Sequence, residues 1–185
     1  MTDTDTSDRV TADLEALYLF NSGSGDIIRD VAGAQGPLDL TITDPAAVNW
    51  LSGGGIEIVN PTQIVSAEPA TEISNAIAQS GEISLEAWIK PANLTQNGPA
   101  RIVTLSDGTL NRNVTLGQGV AGSDATRYDV RLRTTGTSNN GTPSLSTAVG
   151  SLTTELTHLV YSRDVCGISR TYVNGSLVSL SLIHI

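Results

Sequence analysis

Cysteine, histidine and basic residues are all scarce in this sequence. One thiol, Cys166, forms no internal disulfide, and two imidazoles cannot by themselves supply a three-histidine metal site. Ten Lys and Arg stand against nineteen Asp and Glu, leaving a net charge of -9 and a pI near 4.4. That sign opposes binding to a phosphate backbone, so nucleic acid is not an expected partner. No apolar run approaches the ~20 residues that a membrane span requires, and no long-period repeat supports a solenoid or propeller. Aromatic residues make up only 4% of the chain, too few for an extended row of sugar-stacking subsites. What remains is an acidic, loop-rich chain of 185 residues, 39% hydrophobic with 18 Gly and 7 Pro. Its length fits one domain able to bury a substantial core.

Residues 1–12 read as a polar linker. The opening MTDTDTSD has neither the basic n-region nor the apolar h-region of a secretory signal. Asp3, Asp5 and Asp8 alternate there, but no glycine turn and no distal glutamate follow at calcium-loop spacing. Beyond the linker, short runs with period-two or continuous apolar character are separated by Gly, Asn, Asp, Ser and Thr clusters, the pattern of strands and turns. Strands are expected over residues 14–20, 38–43, 55–58, 83–90, 100–106, 113–116, 127–134, 156–164 and 169–173. One helix is expected over 69–79, where Ile73 and Ile77 share a face and Gly81 follows as a stop. Asp164 to Gly167, and Asn174 with Gly175, supply residues that tolerate positive φ between β-rich runs, so each closes a hairpin. Many short strands and one short helix point to an all-β sandwich.

Three blocks then stand in a particular order. They are Ala16-Leu-Tyr-Leu-Phe20 with Ser22-Gly-Ser-Gly25 and Arg29-Asp30, then Leu85-Glu-Ala-Trp-Ile-Lys-Pro91, then Thr157-His-Leu-Val-Tyr161 with Tyr172-Val-Asn-Gly175. Together they resemble a laminin-G-like module of the concanavalin A-like lectin and glucanase superfamily, over nearly the whole chain from about Leu14. The resemblance implies a two-sheet antiparallel jelly-roll sandwich with one short helix, occupying residues 13–179. It also implies a non-catalytic binding or adhesion module that takes a glycan or protein ligand at the concave face or loop rim, in some members through calcium. Such modules belong to larger secreted or surface proteins, here expected to be bacterial, with other domains in the parent chain. The sequence departs from the family at Leu156, where many members carry Trp before the Thr-His pair. Residues 180–185, LSLIHI, match one translated frame of the transposase mosaic-end adapter of sequencing libraries. They are expected to be non-native, which would truncate the domain after about Ser179 and make His184 unnatural. The alternative is a genuine closing strand, since residues 177–185 have acceptable β composition.

The enzymatic hint is Glu82-Ile-Ser-Leu-Glu86. Laminarinase-type glucanases of the same superfamily carry Glu, Asp and Glu at alternate strand positions, with the first as nucleophile and the last as acid/base. Here Ser84 stands in place of the Asp. A retaining pair needs its carboxyls ~5 to 5.5 Å apart, whereas residues four apart on a regular strand have Cα atoms roughly 13 Å apart. Only a bulge or strong bend would let Glu82 and Glu86 work together. A glucanase-like hydrolase using that pair, and a structural spacer without ligand, are the alternatives to a binding module. His158 reads as a hydrogen-bonded sheet residue, because no nucleophile elbow surrounds any serine. Cys166 reads as a bystander thiol at a turn.

Arg127, Asp129, Arg131 and Arg133 alternate onto one strand face, with Tyr128, Val130 and Leu132 on the other. The plain expectation is a solvent face over a core face. The sharper one is that the guanidinium forks of Arg131 and Arg133 grip an acidic sugar or a partner protein. Calcium is the one cofactor the resemblance allows, and Asp26, Asp30, Asp107 and Asp124 are the loop carboxylates on offer, with no spacing that selects among them. Trp88 shares its face with Ser84 and Glu86, where it either packs under a loop or neighbouring strand or stacks on a sugar, and Trp50 carries the same two readings. Sequons at Asn93, Asn113, Asn140 and Asn174 matter only in a eukaryotic secretory pathway.

Overall fold

The computed structural model describes residues 10–32 and 36–182. Residues 1–9 of the expected linker, and His184 with its two neighbours in the expected adapter tail, lie outside the described residues. The chain divides into two compact units, Met1–Gln79 and Ser80–Ile185.

In the first unit, β1 (Ile27–Ile28) pairs with β2 (Leu40–Ile42), a one-turn 3-10 helix spans Pro45–Ala47, and β3 (Val48–Trp50) and β4 (Ile56–Ile58) form a hairpin. β5 (Ile64–Ser66) completes the β1-β2-β5 sheet. Ile28, Ile42 and Val48 form the core, packed by half-buried Tyr18, Phe20 and Trp50. The expected strand over 14–20 is instead an irregular segment with a single bridge, Tyr18 to Asp30. Two physical reasons are visible. The Leu17 N–H donates to the Asp30 carboxylate at 2.9 Å, where a neighbouring strand would offer a carbonyl, and Phe20 takes φ +51°, which breaks an extended run. The expected helix is α1 (Thr71–Ser80), with Ile73 and Ile77 half-buried and Gly81 following at φ +70°.

The second unit holds two four-stranded antiparallel sheets. β6 (Ile83–Ile89), β7 (Ala100–Ser106), β8 (Arg112–Gln118), β9 (Tyr128–Leu132), β10 (Leu145–Ser146), β11 (Thr157–Arg163), β12 (Ile168–Val173) and β13 (Ser176–Leu182) assemble as β10-β9-β8-β7 and β13-β12-β11-β6. Leu116, Tyr128 and Val130 from one sheet meet Leu159 and Tyr161 from the other, with Leu152 between strands in sequence, and Ile83, Leu85, Ile89, Ile102 and Val173 pack around them. Burying one such Leu side chain contributes about 1.5–3 kcal/mol. The second unit is therefore an antiparallel two-sheet β-sandwich, and the described chain is mostly β, with four antiparallel sheets and one short α-helix. Both expected hairpins form. The Asp164 carboxylate accepts from Ile168 N–H at 3.0 Å with Gly167 at φ +83°, and Asn174 and Gly175 turn β12 into β13 at φ +49° and +78°. β13 runs through Leu182, pairing Leu180 with Arg170 and Ser181 with Ser169. Among the described residues no helix is long and apolar enough to cross a membrane.

Candidate functional site

β6 alternates strictly: Ile83, Leu85, Ala87 and Ile89 face inward, and Ser84, Glu86 and Trp88 face outward. Opposite residues of an antiparallel ladder share a face, so register assembles the outer surface of this sheet. His158 lies opposite Trp88, Val160 lies between Glu86 and Tyr172, and Ser162 lies between Ser84 and Arg170. Trp88 is 64% exposed, with no covering loop among the described residues. Its indole stacks on the His158 ring at a centroid separation of 4.6 Å and an interplanar angle of 20°. His158 Nε2 is 3.0 Å from Glu86 Oε1, and its backbone N–H donates to Asn174 Oδ1 at 2.9 Å. The result is a flat aromatic plate held by a histidine that a carboxylate orients, flanked by hydroxyl, carboxylate and phenol groups.

The two glutamates of the catalytic alternative are not brought together. Glu82 immediately precedes β6, whose pairing with β11 is unbroken from Ile83 to Ile89, and the two carboxylates are taken up by different partners. Glu86 is engaged by His158, and Glu82 Oε1 accepts from the Val165 backbone N–H at 3.1 Å.

The arginine strand differs from its expectation. Tyr128 and Val130 do face the core, but the opposite face is closed to solvent at its centre: Asp129 is fully buried and Arg131 is 7% exposed. Arg131 Nε pairs with Asp129 Oδ2 at 3.2 Å, and the Ser144 and Ser146 hydroxyls donate to Asp129 Oδ1 at 2.6 and 2.7 Å. Gly141 lies so close over Arg131 that a Cβ there would approach the Arg131 Cβ to 2.9 Å. Arg133 is exposed, so the two guanidinium groups do not form one accessible clamp.

The four loop carboxylates do not converge either. Asp30 Oδ1 accepts from Leu17 and Ala32 N–H and Oδ2 from Leu38 N–H, so this carboxylate serves its own loop. Asp124 caps Thr126, whose hydroxyl and N–H hold its carboxyl below the usual carboxylate range. Asp26 and Asp107 are exposed. Among the described residues no group of three or more His, Cys, Asp or Glu side chains is placed to hold a metal ion, so these carboxylates do not fit calcium as a set. Cys166 is free and exposed at the tip of the β11–β12 turn.

Sequence reasoning placed Trp88 and Glu86 on one face but missed two members of the surface, His158 as their partner and Tyr172 beside them. His158 lies 72 residues from Glu86 along the chain, and only the β6–β11 register joins them. The period-two pattern of β12 was the available signal for Tyr172.

A family model, Laminin_G_3, described as concanavalin A-like lectin/glucanases superfamily, matches residues 66–181. No curated protein and no solved structure matches the chain.

Proposed function

The chain belongs to the laminin-G family of the concanavalin A-like lectin/glucanase superfamily, and from that premise we propose that it is a non-catalytic module that binds a glycan on the outer face of the β6–β13 sheet. The observation that carries this reading is Trp88: a large aromatic ring left 64% exposed and fixed in orientation by stacking. Leaving such a ring in water forgoes about 1.5–3 kcal/mol of burial. A ring already held flat stacks on the C–H face of a pyranose without further loss of side-chain freedom. Glu86 is the nearest acceptor along the strand, and Tyr172, Ser84 and Ser162 lie farther along the same face as further partners for the hydroxyl groups of an extended glycan.

Separate engagement of Glu82, by the Val165 N–H, and of Glu86, by His158, supports a non-catalytic role. We place the module outside the cell, within a larger secreted or surface protein, on the habit of its family. The test is a glycan array with and without calcium, run beside a β-glucan hydrolysis assay. Trp88→Ala should weaken binding at least about tenfold, equivalent to about 1.4 kcal/mol, with the folded far-UV spectrum retained. Undiminished binding in Trp88→Ala would overturn the assignment of the face. Hydrolysis by the wild type that disappears in Glu82→Gln would overturn the non-catalytic reading.

A further inference from the structure

The first unit carries an open groove of about 660 Å³, lined by the turn of residues 23–26, Pro45, Val48, Asn49 and Trp50. That volume falls within the about 300–1,000 Å³ usual for ligand sites. Its walls are fixed from several directions. Trp50 packs against the Ile28, Ile42 and Val48 core, and its indole N–H donates to the Gly25 carbonyl at 3.0 Å. The β3–β4 hairpin that carries Trp50 is tied back by Gly55 N–H to the Phe20 carbonyl at 2.7 Å. Pro45 is set by the Asp44 carboxylate, which accepts from Ala46 N–H at 3.1 Å. Gly23 and Gly25 take φ +73° and +92°, and a Cβ on either would meet nothing within 4 Å. Glycine is therefore required there by backbone shape and not by crowding, and the turn presents bare backbone to the groove.

The free hydrogen-bonding groups define the ligand. The Asp26 carboxylate has no hydrogen bond or ion pair among the described residues, and the backbone N–H groups of Gly23, Ser24 and Gly25 have no acceptor among them. Asn49 spends its amide N–H on Glu57 at 3.2 Å and keeps its carbonyl oxygen open. None of the lining residues is cationic and one is anionic, so phosphate, sulfate and carboxylate ligands meet repulsion. One carboxylate is too few for a hard divalent cation. A purely apolar ligand would leave the amides and carboxylate desolvated without partners, at about 1–3 kcal/mol each. An uncharged ring with one C–H face and a hydroxyl rim satisfies every wall at once.

We propose that this groove is a second glycan site, separate from the Trp88 face, that takes a neutral pyranose with its C–H face on Trp50 and its hydroxyls shared between the Asp26 carboxylate and the amides of the 23–25 turn. The site lies before residue 66, where the family match begins.

The chain has two tryptophans, so Trp88→Phe leaves Trp50 as the only indole reporter and makes events on the other face silent in this signal. Full-length Trp88→Phe is titrated with neutral tri- and tetrasaccharides of the β-glucan, α-glucan, mannan and galactan series, with a proline-rich peptide and a sulfated oligosaccharide as comparators. The expected result is a saturable change in Trp50 fluorescence with at least one neutral series, unaffected by EDTA. Affinity should fall at least tenfold on adding Asp26→Ala, a change at an exposed side chain without structural partners. No response to any neutral series, a response that survives Asp26→Ala at full affinity, one that EDTA abolishes, or one given only by the peptide or sulfated comparator overturns the proposal. Because the titration is run without Trp88, its failure leaves the reading of the sheet face standing on its own test.

Discussion

Asp129 is fully buried, with the Arg131 guanidinium 3.2 Å away and two serine hydroxyls on its other oxygen. Removing one partner of a buried pair leaves the other charge desolvated, which costs about 3–5 kcal/mol. Arg131→Ala is accordingly expected to lower stability by that amount, while Arg133→Ala, at an exposed neighbour two residues on, should stay within about 0.5 kcal/mol. Chemical denaturation of both variants measures the contrast, and equal small effects would mean that the pair is not a buried one. The alternation along β9 was legible from sequence, since Tyr128 and Val130 face the core as their spacing requires. Burial of the second face was not. It depends on Gly141, ten residues past Arg131, folding back over the strand, and period two carries no information about what lies above a face. Trp88 is the opposite case: its outward direction was legible, and among the described residues no loop folds back over it.

The β11–β12 hairpin places a pH-sensitive element in the sheet that bears Trp88. Asp164 accepts from Ile168 N–H and pairs with Arg170 Nη1 at 2.9 Å, and these contacts, Arg170 first, hold its carboxyl below the usual carboxylate range. A carboxyl depressed in the folded state stabilises at pH values above its unfolded value, and that contribution is lost as pH falls through the lower folded one. Thermal melts between about pH 5 and about pH 2 should therefore show a steeper acid decline in the wild type than in Asp164→Asn. Identical slopes would show that the hairpin contacts do not form in solution. The decline should not vanish in the variant, because Asp39 and Asp124 are also held low, Asp39 by Asp30 N–H and Arg29 and Asp124 by Thr126. Elements of this length were readable: the strands expected near β6, β7, β11 and β12 lie within a residue or two of their expected ends. β1, β3, β5 and β10 were not expected, whereas β2 and β4, equally short, fall inside the apolar runs expected over 38–43 and 55–58; two or three residues display no period of their own. β8 was read short, as residues 113–116. Asn113 and Thr115 alternate there with Val114 and Leu116, and the polar ends Arg112 and Gln118 break that alternation although both are buried.

At the scale of the whole chain, two separate sets of apolar residues do the work of a core, Ile28, Ile42 and Val48 in one unit and the Leu116, Tyr128, Val130, Leu152, Leu159, Tyr161 cluster in the other. Composition showed enough hydrophobic residues for a core but could not show their division, because each set is gathered by strand pairings between residues far apart in sequence. The two tryptophans report the two units separately, since Trp50 packs on the first core and Trp88 stands on a strand whose inner face packs on the second. Truncating Leu159 or Ile42 removes a fully buried branched side chain and leaves a cavity, at about 2–5 kcal/mol. In a Trp50→Phe background, Leu159→Ala should move the denaturation transition seen by Trp88 to lower denaturant by that amount. In a Trp88→Phe background, Ile42→Ala should do the same for the transition seen by Trp50. If Leu159→Ala leaves the Trp88 transition unmoved, the β6–β13 sheet does not draw its stability from the second core. The rigid platform on which the glycan reading rests would then lack its support.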